Sequence, residues 1–273
     1  MRPIPLEADL LLSREGGLRC GGRIRLRLEK ESGIVGLCGP SGSGKSTLIR
    51  VLAGLPPRGT GLIRVDGVAW LDSDRGVDLA LEQRPVSCLP QGAVLFPHMN
   101  VCENLLFAHS LSEKQSKARR GSFDSFSLSG IFRRWTGTRN SPLPDRLRTL
   151  VERFGIGDLL GKRPGMLSGG QTMKVALARA FLKDARLYLL DEPLTGIDPE
   201  GRFRLTGEVA ALLRERRAMA LWVTHTPGEL SPVADGMVAL SLDQGSMDRI
   251  EGEDRPPVGF DVPFGRKVAE WRR

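Results

Sequence analysis

The segment Gly39-Pro40-Ser41-Gly42-Ser43-Gly44-Lys45-Ser46 sets glycines, a lysine and a hydroxyl at the spacing G-x-x-x-x-G-K-[ST]. Glycines let the backbone curl so that successive N–H groups face one anion, and a helix starting at Lys45 adds its positive end. Lys45 can then reach the β- and γ-phosphates of a nucleotide, and the Ser46 hydroxyl can ligate Mg²⁺. Thr47 supplies a further hydroxyl one position later. The chemistry is the gripping of a polyphosphate.

Two more clusters lie downstream. Leu187-Tyr188-Leu189-Leu190 runs straight into Asp191-Glu192. Unpaired buried charge is costly, so a buried strand ending in two acids calls for a partner. Mg²⁺ answers for Asp191, which would sit in its shell through water. Glu192 lies where a base could orient and activate an attacking water. Upstream, Leu167-Ser168-Gly169-Gly170-Gln171 precedes a helical stretch from Thr172 to Leu182. Ser168 and the two glycines there make a second anion-binding nest. A chain with two phosphate-gripping loops suggests head-to-tail pairing of two copies, each nucleotide held between the first loop of one and the second loop of the other.

The elements that must position these groups follow from hydrophobic periodicity. Arg23 to Leu28 alternates apolar and basic residues, which predicts a strand with one wet face in an antiparallel sheet. Ile34–Cys38, Leu187–Leu190 and Ala220–Thr224 are short apolar runs suited to buried strands, and Met237–Leu242 reads as another strand. Helices are expected from Lys45 to near Gly54 and Pro56, through Leu147, Leu150, Val151 and Phe154, and through Phe203, Val209 and Leu213. Apolar strands alternating with helices predict an α/β fold with a mainly parallel sheet. Residues 112–144 break the pattern with serine, threonine and a basic run at Lys117, Arg119 and Arg120, and read as a mobile insertion. Residues 246–273, with Pro256-Pro257, read as a short tail.

Composition narrows the class. No apolar run is long enough to span a bilayer, and the N-terminus is not a secretory signal. Cys20, Cys38, Cys88 and Cys102 form no C-x-x-C pair and read as reduced thiols. Lys and Arg exceed Asp and Glu, 40 against 32. With only 5% aromatic residues this excess suits an anionic membrane face better than single-stranded nucleic acid.

In this order (Gly39–Ser46, Gln91, Leu167–Gln171, Asp191-Glu192, Asp198, His225) the chain resembles the nucleotide-binding subunits of ABC transporters over nearly residues 1–245. The resemblance implies a P-loop NTPase core with a mainly parallel sheet, an N-terminal antiparallel β subdomain and an inserted α-helical subdomain at about 92–182. It implies ATP and Mg²⁺ as ligands, with Glu192, His225 and Gln91 catalytic. Gln91 would touch Mg²⁺, His225 the γ-phosphate, and Asp198 would lie at a dimer interface. Implied partners are a second ATPase subunit, membrane permease subunits and, indirectly, a solute-binding protein, at the cytoplasmic face of the inner membrane and without nucleic acid.

Leu95-Phe96-Pro97-His98 and the segment Gly76–Val86 are similar to molybdate-importer ATPases, so the implied cargo is molybdate or a related oxyanion. Sulfate, polyamine or iron import is the alternative. A non-transport relative in DNA repair or translation is the alternative from another class. Residues 1–69 hold no Phe, Tyr or Trp to stack on adenine, which leaves Leu18 or a nearby aliphatic for that place. Pro90 before Gln91 and Thr172-Met173-Lys174 after the signature also depart from the family pattern.

Overall fold

Alternation builds the first sheet. Leu6, Ala8 and Leu10 of β1 (Ile4–Leu12) and Leu26 of β2 (Gly22–Lys30) are all buried, so this hairpin has one dry face. The computed structural model describes residues 4–12, 22–30, 33–56, 59–92, 94–119, 143–243 and 246–249. The register sets Glu7 opposite Arg27 and Asp9 opposite Arg25. β4 (Thr60–Val65), β5 (Val68–Asp72) and β6 (Val77–Asp78) complete an antiparallel sheet of order β2-β1-β4-β5-β6.

The described residues fall into two compact units, Met1–Arg84 with Val209–Arg273, and Pro85–Glu208. In the first, β3 (Gly33–Cys38) pairs parallel with both β9 (Met219–Val223) and β10 (Ala234–Asp243). β9 is buried throughout, as a strand covered on both faces must be. Between β9 and β10 lies the short helix Pro227–Leu230. β3 feeds α1 (Lys45–Ala53), which ends at Gly54 in a left-handed conformation of φ 82°. Arg84, almost wholly buried, donates through Nη1 to the carbonyls of Val51 and Leu52 at 3.0 and 2.9 Å. Its Nε reaches Leu79 O and its Nη2 reaches Asp78, so one guanidinium satisfies the end of α1 and ties it to the antiparallel sheet.

In the second unit β7 (Val86–Leu89) and β8 (Leu187–Asp191) run parallel, with Leu89 beside Leu190. Helices α2 (Val101–Arg119), α3 (Asp145–Phe154) and α4 (Gly169–Leu182) pack together here. Phe181 stacks on Tyr188 with centroids 4.4 Å apart and planes within 10°, a contact that contributes about 1 kcal/mol beyond burial. α2 starts at a capping box, in which Asn100 and Glu103 each accept the other's backbone N–H.

The architecture is the α/β class expected, with parallel strands, an antiparallel N-terminal sheet and a helical insertion. One local boundary is corrected and two stretches gain detail. α2 runs on to Arg119, into the stretch 112–144 read as a mobile insertion, because Glu113, Lys114, Gln115, Lys117 and Ala118 are good helix formers. α4 begins at Gly169 and not at Thr172, since the Ser168 cap outweighs the cost of two glycines. Ser246–Arg249, within the stretch read as a short tail, is a strand, β11, pairing antiparallel with β10. Residues 120–142 of the expected insertion, and Leu18, lie outside the described residues. Among the described residues no helix is long and apolar enough to cross a membrane.

α5 (Pro199–Arg216) ends on Arg217, whose φ of 52° is left-handed. Its N–H bonds to Arg214 O at 3.1 Å and that of Ala218 bonds to Leu213 O at 2.9 Å. A non-glycine residue is strained there. Arg217→Gly is expected to stabilise the chain by about 0.5–1 kcal/mol, read as a higher urea midpoint at unchanged slope.

Candidate active site

The loop Gly39–Ser46 is shaped by its own atoms. Gly39 has φ 147°, and a Cβ on it would stand 2.2 Å from the backbone carbonyl of Leu240 on β10, so only glycine fits. Ser43 is fully buried and its N–H donates to Pro40 O at 3.2 Å. Lys45, 6% exposed, folds its ammonium onto the loop and donates to Gly39 O and Pro40 O, both at 2.9 Å. α1 has no side-chain cap and no acid in its first turn, and a helix N-terminus attracts anions. Burial pushes the Cys38 thiol upward, and the Lys45 charge beside it pulls the other way. Ser46 and Thr47 are half-buried in the same turn.

His225 belongs to the same edge of the parallel strands. β3 pairs Leu37 with Val223, and Thr224 N–H donates to Leu37 O at 3.1 Å. The exposed His225 thus follows β9 at the level where Gly39 follows β3. In parallel sheets this carboxyl edge is where ligands bind. Thr224 Oγ1 accepts the N–H of Thr226 at 2.9 Å and fixes the turn around the histidine.

The second unit repeats the geometry. Because Leu89 lies beside Leu190, Gln91 and Asp191-Glu192 leave their strands together. Asp191 is 3% exposed at the strand end. Glu192 takes a left-handed φ of 50°, a sparsely populated conformation for a non-glycine residue. Gln91 Nε2 donates to Glu192 Oε1 at 3.2 Å, and Thr195 Oγ1 donates to Glu192 Oε2 at 3.3 Å.

The Ser168–Gln171 segment is organised as a helix start. Ser168 Oγ accepts Gln171 N–H at 3.2 Å, and Gln171 Oε1 accepts Ser168 N–H at 3.1 Å. A Cβ on Gly170 would stand 2.6 Å from the carbonyl of Gly196, so this glycine permits the close approach of the Thr195-Gly196 turn. Gly169 has open space at its Cβ. Asp198, expected at a dimer interface, accepts Gly201 N–H at 2.8 Å and caps α5. That bond, more than the nearby Lys174 and Arg202 charges, holds its carboxyl below the usual range.

Three side chains in this region escaped the sequence reading. Thr195 touches Glu192, yet a lone threonine in a turn carries no signal. Asn104 is fully buried: its Oδ1 accepts the N–H of Phe96, and its Nδ2 reaches the carbonyls of Phe96, Met99 and Asn100. Arg179 of α4 donates to Val94 O and lies 5.5 Å over the Phe96 ring. Burial lowers its pKa from the usual arginine value. The Asn100–Glu103 capping box was a legible pointer to the helix that carries Asn104.

Comparison with known proteins follows the same outline. A family model described as ABC transporter matches residues 23–195. The chain is 37% identical over 209 residues to the molybdenum import ATP-binding protein ModC of Pseudomonas savastanoi pv. phaseolicola, covering 77% of this chain and 51% of that protein. It is 35% identical over 223 residues to the protein of the same name from Albidiferax ferrireducens, covering 81% and 53%. The multiple sugar-binding transport ATP-binding protein MsmK of Streptococcus mutans is 29% identical over 245 residues, covering 88% and 57%. The chain therefore spans about half the length of the curated relatives it matches.

Proposed function

This chain belongs to the ABC transporter family, and on that premise we propose that it is the ATP-hydrolysing motor subunit of an importer for molybdate or a related oxyanion. The observation that carries the hydrolytic reading is the Gln91 amide on the Glu192 carboxylate at 3.2 Å, at the carboxyl edge of β7 and β8. It gives a base held by a neighbour at a strand end, which is the arrangement that general-base activation of water needs.

In this reading residues 1–245 form the ATP-binding domain. The loop Gly39–Ser46 and the first turn of α1 bind the polyphosphate, and Lys45 turns its ammonium from the loop carbonyls toward the β- and γ-oxygens. Glu192 accepts the proton of the attacking water, and His225 donates to a γ-phosphate oxygen as charge builds there. Ser168, Gly169, Gly170 and Gln171 face the nucleotide of a second copy, with Asp198 at that junction.

Mg²⁺ fits the donor chemistry, since Ser46, Asp191 and Gln91 all offer oxygen and Asp191 ends a buried strand. These three would hold the ion, directly or through water, and the ion would supply neutralisation of the phosphate charge.

Transport coupling is supported by apolar groups left at the surface of the helical unit. Val94 is 69% exposed and Met166 70%, and Phe96 is partly exposed. Such residues suit a permease segment. In this reading the chain works at the cytoplasmic face of the membrane, docked on permease subunits. The molybdate assignment is supported by the names of the relatives above. The test is ATP hydrolysis by the affinity-purified membrane complex, with and without molybdate or tungstate and a solute-binding protein. Stimulation specific to these anions is the expected result. Hydrolysis indifferent to them keeps the motor and discards the cargo, and stimulation by a sugar, sulfate, a polyamine or iron reassigns it.

A further inference from the structure

We propose that Thr195 is the positioning residue for the Glu192 carboxylate, an inference that rests on reading Glu192 as the base. The two carboxylate oxygens are held by different partners. Oε2 accepts the Thr195 hydroxyl at 3.3 Å, and Oε1 accepts the Gln91 amide at 3.2 Å. The Thr195 backbone N–H also donates to Glu192 O at 3.3 Å, which closes the turn and keeps the hydroxyl over the carboxylate.

This turn is held under strain. Glu192 carries a left-handed φ of 50°, so its side chain leaves the strand end in a direction that an ordinary strand residue does not take. A half-exposed glutamate in water has several rotamers of similar energy. A hydroxyl on Oε2 selects one of them and leaves Oε1 on the side that Gln91 reaches. Thr195 itself is exposed, so its hydroxyl is not needed to fill a core. A base with an orienter on its far oxygen is the same logic by which nucleophile–base pairs are aligned by a third group.

In the step this serves, a proton passes from water to Glu192, the water oxygen bonds to the γ-phosphorus, and the bond from phosphorus to the departing ADP oxygen breaks. Thr195 touches none of these atoms. It acts through the rotamer of Glu192, and its loss lowers the fraction of molecules with the base aimed at the water.

The experiment compares Thr195→Val and Thr195→Ser with the parent chain in ATP turnover, ATP affinity and thermal melting. Valine keeps the branched shape and removes the donor, whereas serine keeps the donor. Thr195→Val is expected to lower kcat about tenfold with ATP affinity and melting midpoint unchanged, and Thr195→Ser to stay within about twofold of the parent. The inference is overturned if Thr195→Val turns over at the parental rate, or if serine does no better than valine. A fall in kcat accompanied by weaker ATP binding or a lower melting midpoint also overturns it, because that is what a packing role produces. Glu192→Gln in parallel separates the two levels. If it hydrolyses at the parental rate, or the parent itself binds ATP without turnover, the underlying reading fails. If it is inactive beside an unaffected Thr195→Val, only the positioning role fails.

Discussion

Glu192→Gln is expected to bind ATP as tightly as the parent and to hydrolyse it at least about 100-fold more slowly. The amide has nearly the shape of the carboxylate, so the turn at φ 50° and its bond from Thr195 N–H are retained. The contact with Gln91 also survives in outline, since the new amide oxygen can accept from Gln91 Nε2 where Oε1 does now. What is lost is the ability to take a proton. Equilibrium binding of labelled ATP and single-turnover hydrolysis, run on the same preparation, separate the two properties. A variant that binds but stalls identifies Glu192 as the base. A variant that turns over like the parent moves that role to another group, and one that no longer binds ATP would show the carboxylate to be structural.

Local chemistry and strict periodicity were legible in the sequence. The Arg23–Leu28 alternation predicted β2 because each step of two residues returns a side chain to the same face. The Gly39–Ser46 pattern predicted a loop feeding a helix at Lys45, where α1 begins. Boundaries set by competition were less legible. Gly169-Gly170 read as a nest in front of a helix from Thr172, yet the reciprocal Ser168 and Gln171 bonds start the helix at Gly169. The serines after Leu111 read as the start of a mobile insertion, while their charged neighbours favour continued helix to Arg119.

Groups whose partners are distant backbone carbonyls left no trace in the sequence. Arg84 looks like one more surface arginine until Val51 O and Leu52 O are seen to accept from it, and Arg179 until it meets Val94 O. The Gln91–Glu192 contact joins residues 101 positions apart. Order in the chain suggested that both serve one reaction, but only the pairing of Leu89 with Leu190 brings them side by side.

Lys45→Ala is expected to weaken ATP binding on the order of 100-fold, the cost of losing charge-assisted hydrogen bonds to phosphate. Two mechanisms would give that loss. Lys45 donates to Gly39 O and Pro40 O, so it holds the curl of the loop before it serves any phosphate. Collapse of the curl would weaken ATP and ADP alike, because the backbone N–H groups that cradle the phosphates would be misdirected for both. Loss of the ammonium as a ligand would weaken ATP more than ADP, since the γ-phosphate is the group only ATP presents. Gly39 stays pinned against Leu240 O whatever occupies position 45, and the Ser43 N–H keeps its bond to Pro40 O. The loop therefore has supports besides the lysine, and the loss is expected to fall more heavily on ATP. Titrating both nucleotides into the variant and the parent measures the difference. Equal losses would assign Lys45 to the architecture of the loop and leave the γ-phosphate to other donors.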